Sequence, residues 1–302
     1  MKFGIVGNCQ VRGLRECLTV LAPGHAFEAI QVEQLQADDQ ATLTRIVALA
    51  EDVDVLFTHL PDFSVAATGP QQALRQALSL ARPRAVVTIP SIVFGGFHPD
   101  CCVLGIDGKY LQTAAYNYHS AIIAGAYLCG LPAARVPALF NRFVYAGLGY
   151  VGDFARHGTG LLESFATLGF DAGFFFTSRR VFMHCPNHPV VDALFELARQ
   201  MLERVRIQPV CVPPPADWMS TNALLWPVYP GLVGARNSEG DDVSPGRSLN
   251  VVHGTRVISW GELIESSYAC YAEHHLESAN WYAPSVERAA GFLGEHVKPE
   301  RV

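Results

Sequence analysis

Along the first hundred residues, short continuous apolar runs alternate with stretches of helical spacing. Lys2–Val6 (KFGIV) opens the pattern and ends in Gly7-Asn8. Apolar residues then recur at Val11, Leu14, Cys17, Leu18 and Leu21, the spacing of one helix face. Phe27–Val32 reads as a second strand, Leu43–Leu49 as helical, Val53–Thr58 as a buried strand, Gln71–Leu80 as a helix and Ala85–Ile89 as another strand. Strands without polar alternation are covered on both faces, which is the condition of a parallel sheet. The pattern therefore predicts an α/β fold, a doubly wound parallel sheet with helices on both faces in three layers.

Beyond residue 100 the regularity falls. Ser120–Leu131 reads as a buried helix, Asn141–Val151 is rich in glycine and aromatics, and Phe174–Phe176 and Val181–Met183 are short strand candidates. Pro189–Val205 is an amphipathic helix with Val190, Leu194, Leu197, Met201 and Val205 on one face and its proline in the first turn. Its apolar face has two candidate destinations, the core or a partner subunit in a homo-oligomer. From about 209 the chain is rich in Pro and Trp, residues 234–248 read as a polar surface loop, and a last helix pair is expected at Trp260–His274 and Ser285–His296. The division expected is an α/β catalytic domain over 1–207 and an irregular, helix-containing C-terminal extension over 208–302 packed on it.

Composition narrows the partners. Half of the 302 residues are hydrophobic and 17% are charged, enough apolar material for a sizeable core. A net charge of −6 argues against nucleic acid, whose phosphates need a basic face. No run approaches a membrane span, and Arg12, Arg15 and Glu16 interrupt the place of a signal-peptide core, so a reducing cytoplasm is expected. The eight cysteines, at 9, 17, 101, 102, 129, 185, 211 and 270, form no paired CxxC modules. His184-Cys185-x-x-His188 has zinc-type ligands but no second ligand pair, so no metal is expected.

Ligands of parallel α/β sheets bind at the carboxyl ends of the strands. Three such places carry unusual residues: Gly7-Asn8-Cys9-Gln10, Thr58-His59-Leu60-Pro61-Asp62, and Phe94-Gly95-Gly96-Phe97-His98-Pro99-Asp100. Cys9 at the start of a helix meets the positive end of the helix dipole, which favours a nucleophilic thiolate. The backbone N–H groups of Gln10 and Val11, and the side chains of Asn8 and Gln10, are candidate oxyanion donors. A cysteine nucleophile needs a base. The candidates are His59, His98 and His188, with Asp62 or Asp100 either orienting a histidine or capping a turn. Arg12, Lys109, Arg142, Arg179 and Arg180 are candidate phosphate partners. There is no GxGxxG after a strand and no Walker sequence, which disfavours a dinucleotide or P-loop site.

Gly-Asn-Cys-Gln after the first strand, the Phe-x-Gly-Phe-His-Pro-Asp run at 94–100 and the His188-Pro189 pair before a late helix together resemble the WcbI-like acetyltransferase family of polysaccharide (capsule) biosynthesis. The resemblance implies transfer of an acetyl group from acetyl-CoA to a sugar hydroxyl, with coenzyme A as product. The layout is also similar to SGNH hydrolases and flavodoxin-like sheets, with Cys9 at the place of the SGNH first-strand serine. The Asp-x-x-His of that fold is half met: His188 matches, but Cys185 stands where the aspartate would be. Two other readings use the same residues. One is an esterase or thioesterase with water as acceptor, and the other a non-catalytic domain that binds coenzyme A or glycan.

Overall fold

The computed structural model describes residues 1–32, 40–59, 84–107, 109–177, 181–232, 249–278, 281–282 and 284–297. The expected helix Gln71–Leu80, the polar loop at 234–248, and Asp62, Arg179 and Arg180 lie outside these residues. In chain order the main elements begin β1 (Lys2–Gly7), α1 (Val11–Leu21), β2 (Ala26–Gln31), α2 (Gln40–Asp52), β3 (Val55–Thr58) and β4 (Val86–Thr88). There follow β5 (Cys101–Ile106), β6 (Lys109–Tyr110), β7 (Tyr118–Ser120), α3 (Ala121–Leu128), α4 (Arg142–Gly147), α5 (Tyr150–Thr167) and α6 (Val191–Arg204). The chain ends in β8 (Val251–His253), β9 (Arg256–Ile258), α7 (Trp260–Glu273), β10 (Trp281–Tyr282) and α8 (Pro284–His296). The fold is mixed α/β, with the expected parallel sheet and C-terminal helices.

These elements form two units. The first comprises Met1–Val93, Leu161–Phe175 and His188–Met219; the second comprises Phe94–Gly160, Phe176–Asn187 and Ser220–Val302. In the first unit the strands lie in the order β2-β1-β3-β4, and every pairing is parallel. Side chains alternate across the sheet. Val6, Ile30 and Leu56 share a core with Leu43, Ile46 and Leu49 of α2. The opposite face carries Phe3, stacked between Phe27 and Phe57 with ring centroids 5.1 and 5.9 Å away. There Gly7 meets Val11 at the start of α1. Helices thus cover both faces.

The second unit is built on the antiparallel neighbours of β5 and on the hairpin β8–β9, to which Leu224-Leu225 adds a third strand. Ser120 caps α3 by accepting the Ile123 N–H. Close packing of α8 on α3 depends on Gly125, where an added Cβ would come within 2.8 Å of the Ala290 backbone nitrogen.

Three local expectations differ from the structure. Phe174–Phe176 is not a strand but part of a 3-10 turn, Gly173–Phe176, started by the Asp171 carboxylate accepting the Gly173 N–H at 2.7 Å. Burial of Phe175 against Phe165 fixes that turn. Pro189 stands before the N-cap Val190 and not in the first turn of α6. The eighteen-residue helix α5 has no counterpart among the expected elements, because Gly152, Gly158 and Gly160 weaken its helical signal.

Candidate active site

Cys9 is held in a turn whose neighbours are fastened on both sides. The Asn8 carboxamide oxygen accepts the Gln10 N–H at 3.0 Å, and the Val11 N–H donates to the Asn8 carbonyl at 3.2 Å. Both of these N–H groups are therefore donated within the turn itself. Asn8 Nδ2 donates to Ser91 Oγ at 2.9 Å. Gln10 is fully buried and clasps the Ile92 peptide with both ends of its amide. Its Nε2 donates to Ile92 O at 2.8 Å, and its Oε1 accepts the Ile92 N–H at 3.0 Å. These bonds replace hydration that burial removes, so the two amides pin the turn to the segment following β4. Cys9 itself stays partly exposed, two residues ahead of α1.

His59 directly follows β3, and its N–H donates to Val6 O at 3.3 Å across to β1. Its imidazole is buried at 1% exposure and lies against Gly7, so that a Cβ on residue 7 would sit 2.1 Å from Nδ1. Gly7 is thus required by this close approach as well as by the turn. Among the described residues neither ring nitrogen has a hydrogen-bond partner. Burial pulls the His59 pKa down to about 4; the Pro90 carbonyl beside the ring opposes this without meeting hydrogen-bonding geometry. His59 is therefore a neutral, buried imidazole with an unused lone pair, at the carboxyl end of the strand next to the one that leads into Cys9.

His188 lies three residues ahead of α6. The first N–H of that helix, from Val191, donates to Asp217 Oδ2 at 3.1 Å, and Asp217 Oδ1 accepts the Met219 N–H at 3.1 Å. The adjoining Trp218 ring lies under the Arg12 guanidinium at 4.4 Å. Gly13 lets Leu194 of α6 pack close to α1, since a Cβ there would stand 2.5 Å from Leu194 Cδ1. The helices thus meet through their first turns. Cys9 precedes and Arg12 lies in the first turn of α1, and His188 precedes α6 in the chain. The sequence offered no signal for Ser91 or Asp217, which bond Asn8 and the first N–H of α6. Trp218 stood out in it as one of the aromatics of the C-terminal third that could wall an acceptor site or bind a sugar face, and it is found stacked on Arg12.

The remaining candidates belong to the second unit. His98 is buried, with Nε2 3.3 Å from Met183 O and Nδ1 3.4 Å from Pro227 O. Burial draws its pKa down to about 4, and a neutral ring donates to only one of these carbonyls. Asp100 does not orient a histidine. It is buried and accepts from Ser120 Oγ, from the Ile122 N–H at 2.8 Å, from Tyr150 Oη at 2.9 Å and from Tyr229 Oη at 2.7 Å. Burial pushes its pKa up against these donors. In the same run, Phe94 and Phe97 pack with Phe154 and Phe182. Gly96 has no room for a Cβ, which would lie 2.8 Å from the Phe154 Cα. Lys109 is exposed on β6, and Arg142 is exposed at the start of α4. Cys185 Sγ lies 3.2 Å from Asn187 Oδ1 and 3.5 Å from Tyr118 Oη, and its single S–H can be donated to one of them at a time. Among the described residues no group of three or more His, Cys, Asp or Glu side chains is placed to hold a metal. Burial raises the pKa of Cys17, Cys101, Cys102, Cys129 and Cys270, which keeps these thiols protonated.

Fold and site together define a mixed α/β protein with a cysteine in the strand–turn–helix at the carboxyl edge of its parallel sheet. The chain belongs to the family described as polysaccharide biosynthesis enzyme WcbI, which matches residues 2–210, and it is accordingly an enzyme of polysaccharide biosynthesis. Among solved structures it is similar to one described as WcbI, a novel polysaccharide biosynthesis enzyme, in the native form without a disulfide bond between coenzyme A and a cysteine of that protein. The similarity has a TM-score of 0.63 at 14% identity and covers 97% of this chain and 93% of that one, a likeness of fold. No curated protein matches the chain. Among the described residues no helix is long and apolar enough to cross a membrane.

Proposed function

We propose that the protein is an O-acetyltransferase that moves an acetyl group from acetyl-CoA to a sugar hydroxyl in cytoplasmic capsule or other polysaccharide synthesis, with Cys9 as nucleophile. The observation that carries this reading is His59, a buried neutral imidazole beside the fastened Cys9 turn whose ring nitrogens have no hydrogen-bond partner among the described residues. A buried polar group left without a partner costs about 1–3 kcal/mol, so its retention calls for a use. Family membership supplies the sugar chemistry, and the coenzyme A named for the similar solved structure suggests the donor.

In this mechanism His59 takes the Cys9 proton, and Cys9 Sγ attacks the thioester carbonyl of the donor. The bond from the acetyl carbon to the donor sulfur breaks, and the departing thiolate takes the proton back from His59. Exchange of one thioester for another is nearly neutral in energy. The sugar hydroxyl then attacks acetyl-Cys9 while His188 takes its proton, the ester forms, and Cys9 leaves as a thiolate that is reprotonated by His188. A pKa near 4 makes His59 a weak base on its own, but a thiolate forming next to it favours the protonated ring. Arg12, stacked on Trp218 and paired through Nε with Glu16 in the first turns of α1, would meet a donor phosphate at this helix end. The test is acetyl transfer to an oligosaccharide acceptor by the Cys9→Ala protein. Transfer is expected to fall at least a thousandfold with the thermal midpoint unchanged; retained transfer removes Cys9 from the reaction.

A further inference from the structure

Tyr116 is a bulky residue held at a φ of +58°. The left-handed region costs a residue with a Cβ about 1–2 kcal/mol. The residue is 43% exposed, so burial returns little of that cost. The surrounding turn nevertheless enforces the conformation. Thr113 and Tyr116 exchange backbone hydrogen bonds of 2.8 and 3.0 Å. The Ala114 N–H donates to Ser266 Oγ at 3.1 Å, the Ala115 N–H donates to Thr113 Oγ1 at 3.1 Å, and Ala115 is fully buried. Strain kept by an over-determined surrounding, on a side chain that does not fill the core, marks a ligand contact more than a stability device.

The presented surface indicates which ligand. Tyr116 Oη lies 3.1 Å from His253 Nδ1, and the two ring centroids are 4.7 Å apart at 58°. This is an aromatic face with a hydroxyl and an imidazole along its edge. Arg256, opposite His253 across the hairpin, is paired with Glu262, so no uncompensated charge is added there. A neutral six-membered sugar ring has the matching chemistry: axial C–H groups that pack on an aromatic face and hydroxyls that reach its polar edge. We propose that Tyr116 and His253 form a carbohydrate platform that takes a neutral pyranose unit of the acceptor glycan. The choice of a sugar over another neutral ring rests on the polysaccharide reading above, but the platform does not depend on Cys9 chemistry.

The experiment is saturation-transfer NMR on the full chain carrying Cys9→Ala, titrated with the methyl glycosides of glucose, galactose and mannose. With no acyl donor present, failure of the transfer mechanism leaves this result untouched. At least one glycoside is expected to bind, with its Kd raised fivefold or more by Tyr116→Gly. Glycine relieves the left-handed strain, so the thermal midpoint of that variant should stay level or rise. Tyr116→Phe, which keeps the face and loses the edge hydroxyl, should fall between the two. The proposal is overturned if none of the three glycosides binds, if Tyr116→Gly leaves Kd unchanged, or if Tyr116→Gly lowers the midpoint by several degrees, which would make the ring a packing element.

Discussion

Gly7 has no side chain because the His59 imidazole occupies the space where one would be. This contact joins two residues fifty-two positions apart, and the sequence reveals only its two halves. Cys9 and His59 were legible as polar residues closing apolar strands. The need for glycine between them was not, since a glycine before a turn already has a local explanation. The Asn8 and Gln10 amides show the same limit. Their residue types suggested oxyanion donors, whereas their observed partners are Ser91 and Ile92, which only the register of the sheet brings near. Gly7→Ala tests the contact. The added methyl is expected to displace the His59 ring, destabilise the protein by about 2 kcal/mol, and reduce acetyl transfer more than a hundredfold. Chemical denaturation and initial rates on the same preparation check this; wild-type rates would separate His59 from the reaction.

Among the elements, the parallel strands were readable because each is an uninterrupted apolar run, a pattern that a strand buried on both faces cannot avoid. The antiparallel strand β5 was not, since Cys101 and Cys102 read equally well as core thiols in any structure. Helix α5 was hidden by its own glycines, and its stability comes from packing rather than propensity. At Gly125 the α3–α8 contact admits no Cβ, and the atoms that would be struck are the α8 backbone and the rigid Ala289 Cβ, so no flexible side chain can move aside. Gly125→Ala is expected to cost about 3 kcal/mol, seen as a lower urea midpoint at unchanged slope. An unchanged midpoint would show that the two helices are not in this contact.

For the molecule as a whole, buried neutral histidines set the acid limit of stability. His59, His98 and His119 each have their pKa drawn down to about 4 by burial. An unfolded histidine titrates near ~6.5. Between these values the unfolded chain binds protons that the native state refuses, so stability is complete above about 6.5 and falls as the pH drops. At pH 5 the loss is about 2 kcal/mol for each histidine. Asp100, whose pKa is raised by burial, acts in the opposite sense above the ordinary carboxylate range and offsets part of it. Urea unfolding at pH 7 and pH 5 should therefore differ by several kcal/mol; equal stabilities would mean that these rings are hydrated and not buried.

Whether Cys9 carries the acyl group is read out by intact-mass spectrometry after brief exposure to acetyl-CoA without a sugar acceptor. A covalent role for Cys9 requires one added acetyl group on the wild-type chain, located on Cys9 by peptide mapping, discharged by the acceptor glycan and absent from Cys9→Ala. An adduct that persists in Cys9→Ala, or a wild-type protein that transfers acetyl groups while Cys9 never carries one, would contradict it.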